Sequence, residues 1–310
     1  MGVIEERDLG FGSVVADRPG HRLLNRDGSF NVRRAGLGLA ALSPYHALIK
    51  MSWPAFLGLL TAAYLGVNLL FAVLFLACGP GALSAAAGDP GMQQFGRAFF
   101  FSVETFATIG YGNIVPIGHA ANALVVVESL VGLLGVALAT GIIFARFSRP
   151  RAQVRFSEHA LIAPYRGHTA FEFRIVNERE SQMIDVEAKV LLARLVDHDG
   201  RKARKFEELE LERRRVAFFP LAWTVVHPID EGSPFRGLTH RDLVESDAEV
   251  LILLTGTDET FAQSVHARSS YRAGEILWGS RFAGMFDPPG PDGVLSIDVS
   301  RLDDVETGPA

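Results

Sequence analysis

The sequence predicts a protein of two parts: a membrane part made of two spanning helices and a re-entrant helix, then a C-terminal immunoglobulin-like β-sandwich. Three observations predict this fold class. Residues 51–78 and 120–147 are apolar stretches longer than the roughly 20 residues that cross a bilayer. Between them, residues 95–107 are apolar but only about half a bilayer long as helix. From residue 149 onward, short alternating runs are separated by Gly, Pro and Asp, which is typical of a β-sandwich.

Composition excludes several classes of function. The chain has 310 residues, 48% of them hydrophobic, which is large enough for two domains and too apolar for a wholly soluble protein. A net charge of −5 argues against a nucleic-acid partner. The single cysteine, Cys78, excludes an intrachain disulfide and a cysteine-based zinc site. We find no nucleophile elbow, metal-hydrolase pair or phosphate loop, so we expect neither enzymatic activity nor a cofactor.

The distribution of basic residues predicts the orientation in the membrane. Basic residues precede the first span and follow the second, whereas the connection between the spans contains only Arg97. The positive-inside rule therefore puts both termini in the cytoplasm, including an N-terminal segment over residues 1–42. The preference for Arg over Lys is the habit of GC-rich bacterial genomes, which predicts a multi-pass protein of a bacterial inner membrane.

A short helix is expected just before the first span. In residues 43–53, Ser43 suits the N-cap, Pro44 suits the first helical position, and one face is apolar. This pattern predicts an amphipathic slide helix on the inner membrane surface. The alternative is that these residues begin the span itself, but Pro54 should break or bend the helix there. We accordingly expect the first span over residues 54–78.

The connection between the spans has the pattern of a re-entrant pore. A helix over residues 95–107 cannot cross and return, so an extended segment must follow it at membrane depth, which is tolerated where backbone lines a water-filled path. That segment, residues 108–112, reads TIGYG. It resembles the TVGYG selectivity filter of potassium channels, the best-known pore built from backbone carbonyls, and we take its mechanism from that example.

The residue types of this segment suit a cage for a dehydrated cation. Successive carbonyls can face one axis only if alternate residues adopt conformations that most side chains forbid, and Gly110 and Gly112 allow them. Thr108 adds a hydroxyl oxygen. We expect potassium to bind at the level of Thr108, Ile109, Gly110 and Tyr111. One chain supplies one strand of oxygens, so several copies must surround an axis.

Two more stretches extend the resemblance. Residues 223–234 read WTVVHPIDEGSP and residues 267–282 read ARSSYRAGEILWGSRF. With the filter, they resemble hallmark stretches of the inward-rectifier potassium channel family, in its bacterial (KirBac) branch, over roughly residues 40–300. The resemblance implies a homotetramer with passive potassium transport, gated by lipid or ligand through a cytoplasmic domain. That domain is expected over residues 149–300, with strands at 170–176, 186–195, 218–226 and 249–255 and a tail over residues 301–310.

Departures from the family pattern predict weak rectification. Strongly rectifying members have an acidic residue in the cavity of the second span, where this chain has Val136, and another in the cytoplasmic pore, where it has Thr255. Only Glu187 matches a family acid of the cytoplasmic pore. We therefore expect magnesium and polyamines to be weak blockers.

Two acids are expected behind the filter. Glu104 matches the pore-helix acid of the family, but Ile114 occupies the position of its basic partner. Glu128 is the only acid of the second span, and we expect it to pack near Glu104. The alternative is a solvated residue near the outer surface.

The end of the second span is predicted to contain the gate. Phe144 aligns with a constriction-lining position of the family, and Gly132 is the expected hinge. Arg149 and Arg151 remain from the family's basic cluster, so we expect them to bind anionic membrane phospholipids. A non-conducting, membrane-anchored lipid or ligand sensor is the alternative function, and the intact TIGYG argues against it.

Overall fold

The computed structural model describes residues 10, 19–32, 44–84, 94–148, 153–178, 182–198, 201–219, 221–289, 291, 293 and 296–307. The chain divides into two compact units. One comprises residues 35–149, and the other comprises residues 1–34 together with 150–310.

The secondary structure of the first unit is α-helical, and non-helical segments at residues 78–84 and 107–117 connect its helices. Its helices are α1 (Pro44–Lys50), α2 (Trp53–Ala77), α3 (Gln94–Phe106) and α4 (Gly118–Phe147). Both α2 and α4 are long and apolar enough to cross a membrane. α1 and α2 are separate helices, and Pro54 lies in the first turn of α2, where its missing N–H costs no hydrogen bond. The helix expected over residues 43–53 is therefore separate from the span, although Trp53 belongs to α2.

Aromatic packing places α3 against α2. Phe71 and Phe75 of α2 form an apolar cluster with Ala98 and Phe101 of α3 and with Ile114. The Phe75 and Phe101 rings meet edge to face with centroids 5.0 Å apart, an arrangement that adds to the stabilisation from burial. This cluster fixes the helix that precedes the TIGYG segment.

The second unit is a sandwich of two sheets around one apolar core. The strands are β1 (Val154–Phe156), β2 (Ala160–Tyr165), β3 (His168–Asn177), β4 (Met183–His198), β5 (Arg201–Glu208), β6 (Arg215–Phe219), β7 (Ala222–Pro228), β8 (Glu249–Asp258), β9 (Gln263–Arg272), β10 (Ile276–Trp278), β11 (Ser280–Phe282) and β12 (Val305–Thr307). In the first sheet, β3 pairs with β1, β2 and β7, and β10 pairs with β2. In the second sheet, β4 pairs with β5, β6 and β8, and β9 pairs with β8. A small third sheet joins β11 to β12. One helix, α5 (His240–Glu245), starts at a Thr239 capping box.

Two sequence predictions for this unit were wrong. Residues 218–226 do not form one strand, because β6 pairs with β4 in one sheet while β7 pairs with β3 in the other. In the sequence, Pro220 separates the two strands, and a proline has no N–H to donate to a ladder. The expected tail at residues 301–310 is also part of the domain where it is described, since Leu302 is fully buried and β12 pairs with β11.

Residues 19–32 are docked on the sandwich, which the sequence did not predict for its N-terminal segment. The backbone N–H groups of Leu23 and Leu24 donate to the buried Glu249 carboxylate at 2.8 and 3.1 Å. Both leucines pack on Leu251 and Ala193. The Arg22 guanidinium makes a bidentate pair with Glu275, with both N–O distances 2.9 Å. Because these partners lie on β4, β8 and the turn after β9, the segment belongs to the second unit.

The two hallmark stretches, residues 223–234 and 267–282, make buried hydrogen bonds within the sandwich. In the first, His227 lies between the Glu210 carbonyl at 2.5 Å and the Ser233 hydroxyl at 2.7 Å. Burial lowers the pKa of His227, so it is a neutral structural residue. In the second stretch, the buried Tyr271 hydroxyl donates to the Ser157 carbonyl at 2.8 Å.

Candidate functional site

The TIGYG segment has an alternating backbone. Thr108, Gly110 and Gly112 have positive φ angles of 55°, 60° and 76°, whereas Ile109 and Tyr111 do not. Alternation of left-handed residues with ordinary ones turns successive carbonyls to the same side of the strand. Thr108 is the only one of the three with a side chain, so its conformation is strained and must be held by its surroundings.

The end of α3 holds this conformation. The N–H groups of Ile109 and Gly110 both donate to the Glu104 carbonyl, at 2.7 and 3.3 Å, and the Thr108 N–H donates to the Thr105 carbonyl at 3.1 Å. The N–H groups of residues 108–110 are therefore directed back to the helix. The carbonyls of this alternating strand face the other side, where they can contact a ligand. A row of inward carbonyls is suited to a dehydrated monovalent cation.

Glu104 and Ile114 behave differently from a family ion pair. Ile114 is 5% exposed and packs with Phe71 and Phe101, so the position of the basic partner is filled by apolar contact. The Glu104 carboxylate has no hydrogen-bond partner in the described part of the chain. Its contribution to the segment comes from its backbone carbonyl.

Glu128 is fully buried, which excludes the solvated alternative. Its Oε1 lies 2.5 Å from the Ser102 hydroxyl on α3. The contact of Glu128 with the helix before the filter is thus made at Ser102, two residues before Glu104.

At Gly132 the backbone of α4 packs closely against the end of α3. A Cβ added at Gly132 would lie 2.7 Å from the Phe106 carbonyl oxygen, a contact that real side chains do not make. Ser102 and Phe106 are one turn apart on α3, as Glu128 and Gly132 are on α4, so the two contacts are in register. α4 is continuous through Gly132. The structure therefore gives this glycine a packing role, and its role as a hinge stays a prediction.

Val136 and Phe144 lie on one stripe of α4, since residues eight apart are about two turns apart. They are 56% and 71% exposed, so neither is covered by its own chain.

Arg146 joins the end of α4 to α1, a tie that the sequence did not reveal. Its guanidinium donates to the carbonyls of Leu48, Ile49 and Met51 at the end of α1. The same group lies over the rings of Trp53 and Phe56, 4.6 and 4.5 Å from their centroids. A cation at a helix C-terminus is stabilised by the unpaired carbonyls and by the helix dipole. An arginine at the end of an apolar span beside aromatic residues was the available signal. Arg149 and Arg151 lie outside the described residues.

Polar residues form a row across the second sheet. Glu187 of β4 is opposite Thr255 of β8, which is opposite His266 of β9. The Thr255 hydroxyl lies 3.1 Å from His266 Nδ1, and Glu187 accepts a hydrogen bond from Arg214 at 2.9 Å. The two residues predicted for the cytoplasmic pore therefore lie side by side on one face.

Comparison with known proteins identifies the family. Residues 154–309 match the inward rectifier potassium channel C-terminal domain, and residues 63–149 match the ion channel family. The inward rectifier potassium channel Kirbac3.1 of Paramagnetospirillum magnetotacticum is 43% identical over 287 residues, which cover 92% of this chain and 95% of that protein. The chain belongs to the inward-rectifier potassium channel family. The ATP-sensitive inward rectifier potassium channel 12 of Homo sapiens is 29% identical over 84% of this chain and 66% of its own length.

This membership confirms the predicted fold class and the central functional prediction. The chain is a bacterial, potassium-selective inward-rectifier channel rather than an enzyme, and potassium ions permeate its pore. It is a membrane protein, with two helices that are able to span. The alternative of a non-conducting sensor is not favoured.

The contact at Gly132 predicts a specific sensitivity to a methyl group. Gly132→Ala should lower the free energy of unfolding of the purified channel by about 1 to 3 kcal/mol, because the Phe106 backbone must move to make room for the methyl group. The same movement should reduce selective flux. Gly141→Ala, where an added Cβ meets nothing within 4 Å, is the matched control and should be tolerated. The readouts are melting in detergent and the ratio of rubidium to sodium flux. A Gly132→Ala channel with normal stability and selectivity but an altered open fraction would instead support a hinge.

Proposed function

We propose that the chain forms a homotetramer in a bacterial inner membrane, with both termini in the cytoplasm and the TIGYG segments of four copies around the conduction axis. The supporting observation is the alternation of positive φ at Thr108, Gly110 and Gly112. Potassium ions occupy the levels of Thr108, Ile109, Gly110 and Tyr111. In this assembly residues 43–53 are a slide helix, residues 54–148 form the transmembrane pore domain, and residues 149–300 form the cytoplasmic β-sandwich domain.

Flux through purified protein in liposomes tests this proposal. Rubidium and potassium flux should greatly exceed sodium flux, and barium should block, because it has the size of potassium and twice its charge. Gly110→Ala should abolish selective flux, since a side chain at φ +60° costs about 1 to 3 kcal/mol at each of four sites. Gly66→Ala, on α2 with nothing within 4 Å of the added Cβ, is the control. Equal permeation by sodium and potassium in the wild-type channel would refute the proposed filter.

We further propose that rectification is weak because Val136 in the cavity and Thr255 in the cytoplasmic pore carry no charge. Block by internal magnesium or polyamine then depends on Glu187 alone among the family's acidic positions. Glu187 is itself paired with Arg214, which weakens its field.

Val136→Asp should strengthen polyamine block, because it would put four carboxylates around one narrow cavity. Val136→Asn has the same shape without the charge and should leave block weak. The measurement is current against voltage in planar bilayers with polyamine on the cytoplasmic side. Steep rectification by the wild type, or an equal effect of Asp and Asn, would assign block to another part of the pore.

The gate is proposed at Phe144. Four phenyl rings at one level can close a pore by excluding water, without filling it. The Arg146 tie is two residues further on, so movement of α1 would act on the same end of α4. Gly132 remains the proposed hinge, because it has no side chain and bends at low cost.

Phe144→Ala should raise resting potassium flux, because it widens the proposed constriction. Leu138→Ala is the control: Leu138 is similarly exposed, at 67%, but lies about 120° around α4 from Phe144 and about 160° from Val136. The measurement is rubidium uptake without activating lipid. Unchanged uptake would move the gate to Val136 or to the cytoplasmic domain.

Anionic phospholipids are the proposed regulatory partner. Arg149 and Arg151 directly follow α4, and basic side chains at a membrane surface gain about 1 kcal/mol each from anionic lipid. Flux should therefore change with the anionic lipid content of the liposomes, and replacing both residues by Gln should remove much of that response. Full retention of the response in the double variant would exclude these residues as the lipid contact.

A further inference from the structure

Buried polar side chains connected by hydrogen bonds join α2, α3 and α4, the three long helices of the first unit, which is called the pore unit below (residues 35–149). Asn68 of α2, Ser102 of α3 and Glu128 of α4 are each fully buried among apolar side chains. The Ser102 hydroxyl lies 2.5 Å from Glu128 Oε1 and 3.1 Å from Asn68 Oδ1. The Asn68 amide donates in turn to the Tyr64 carbonyl at 2.8 Å. The other Glu128 oxygen, Oε2, has no hydrogen-bond partner among the residues that the structure describes.

The number of protons that these side chains share determines which group donates and which accepts in each hydrogen bond. The Asn68 Nδ2 donates to Tyr64, so its Oδ1 faces Ser102 as an acceptor. Ser102 has one proton. If Glu128 were ionised, Ser102 would face two acceptors, and one close oxygen pair would have no proton between its atoms. If Glu128 is neutral, it donates to Ser102, Ser102 donates to Asn68, and every close pair is a hydrogen bond.

The surroundings also favour the neutral form. α2 contains no acidic or basic residue. On α3 the charged side chains are Arg97 and Glu104, and on α4 the other titratable residues are His119 and Arg146. None of these hydrogen-bonds or ion-pairs with Glu128 in the described residues. An ionised carboxylate would thus be buried with one oxygen unpaired and without a counter-charge, which is costly in a membrane. A neutral acid leaves only a carbonyl-type oxygen unpaired, a smaller penalty.

We propose that Glu128 is held as a neutral carboxylic acid and acts as a positioning residue for the selectivity filter. Its O–H binds α4 to Ser102, while Ser102 binds α3 to Asn68 of α2. Two residues after Ser102, the Glu104 carbonyl accepts the N–H groups of Ile109 and Gly110. The connected hydrogen bonds therefore fix the end of α3, and the backbone of the proposed filter is hydrogen-bonded to that end. The role in selectivity rests on the proposed filter at residues 108–112.

Infrared difference spectroscopy of the purified channel tests the proton directly. The spectrum of wild type minus Glu128→Gln near neutral pH should contain the C=O stretch of a protonated carboxylic acid. A difference spectrum with only carboxylate bands would overturn the proposal. This readout does not require conduction, so it stands even if the proposed filter fails the flux test.

Matched variants test the positioning role. Glu128→Gln keeps an N–H that can donate to Ser102 and should retain the potassium-to-sodium flux ratio within about twofold. Glu128→Leu has similar volume without a donor and should lower the ratio by about tenfold, the equivalent of one hydrogen bond. Raising the pH until Glu128 ionises should lower the ratio in wild type and not in Glu128→Gln. Equal loss in the Gln and Leu variants would show that the charge is needed and would overturn the proposal, as would equal retention.

Discussion

A strand whose carbonyls all face one side depends on an alternation of backbone handedness that an ordinary strand cannot maintain. Thr108, Gly110 and Gly112 adopt the left-handed region, and the two glycines do so without steric cost. Thr108 does not have that freedom. Its strain is held by the last turn of α3, where the Thr105 and Glu104 carbonyls accept the N–H groups of residues 108–110. In the proposed filter, ion selectivity would thus depend on how firmly α3 is held.

The pore unit holds α3 on two sides with contacts of different chemistry. On the side of α2 the contact is apolar, through Phe75 and Phe101. On the side of α4 it is close and polar, at Ser102 with Glu128 and at Phe106 with Gly132. In lipid, apolar packing alone favours one register between two neighbouring helices only weakly, because the lipid tails are as apolar as the side chains. The buried hydrogen bonds and the glycine contact fix the register that packing leaves free.

The sequence predicted features that local chemistry determines. The two membrane-length helices follow from apolar length, and the alternating backbone of residues 108–112 follows from TIGYG with its glycines. Features set by distant partners were missed. Asn68 is an ordinary polar residue in the sequence and gains its meaning only beside Ser102. In the sequence, Arg146 is only a basic residue at the end of an apolar span, of the kind that predicts orientation in the membrane. In the structure its guanidinium caps α1, almost one hundred residues earlier in the chain. Likewise, residues 218–226 were interpreted as one strand, and their pairing partners show that β6 and β7 belong to two different sheets.

The central claim is that the backbone of residues 108–112 forms the ion-binding wall of the pore. Anomalous scattering from crystals of the purified channel grown with thallium or rubidium tests it most directly, because those ions replace potassium and can be located individually. The account predicts a line of anomalous peaks on the symmetry axis, level with the carbonyls of residues 108–111 and surrounded by four chains. Peaks elsewhere, or a filter without bound ions in a well-diffracting crystal, would contradict it.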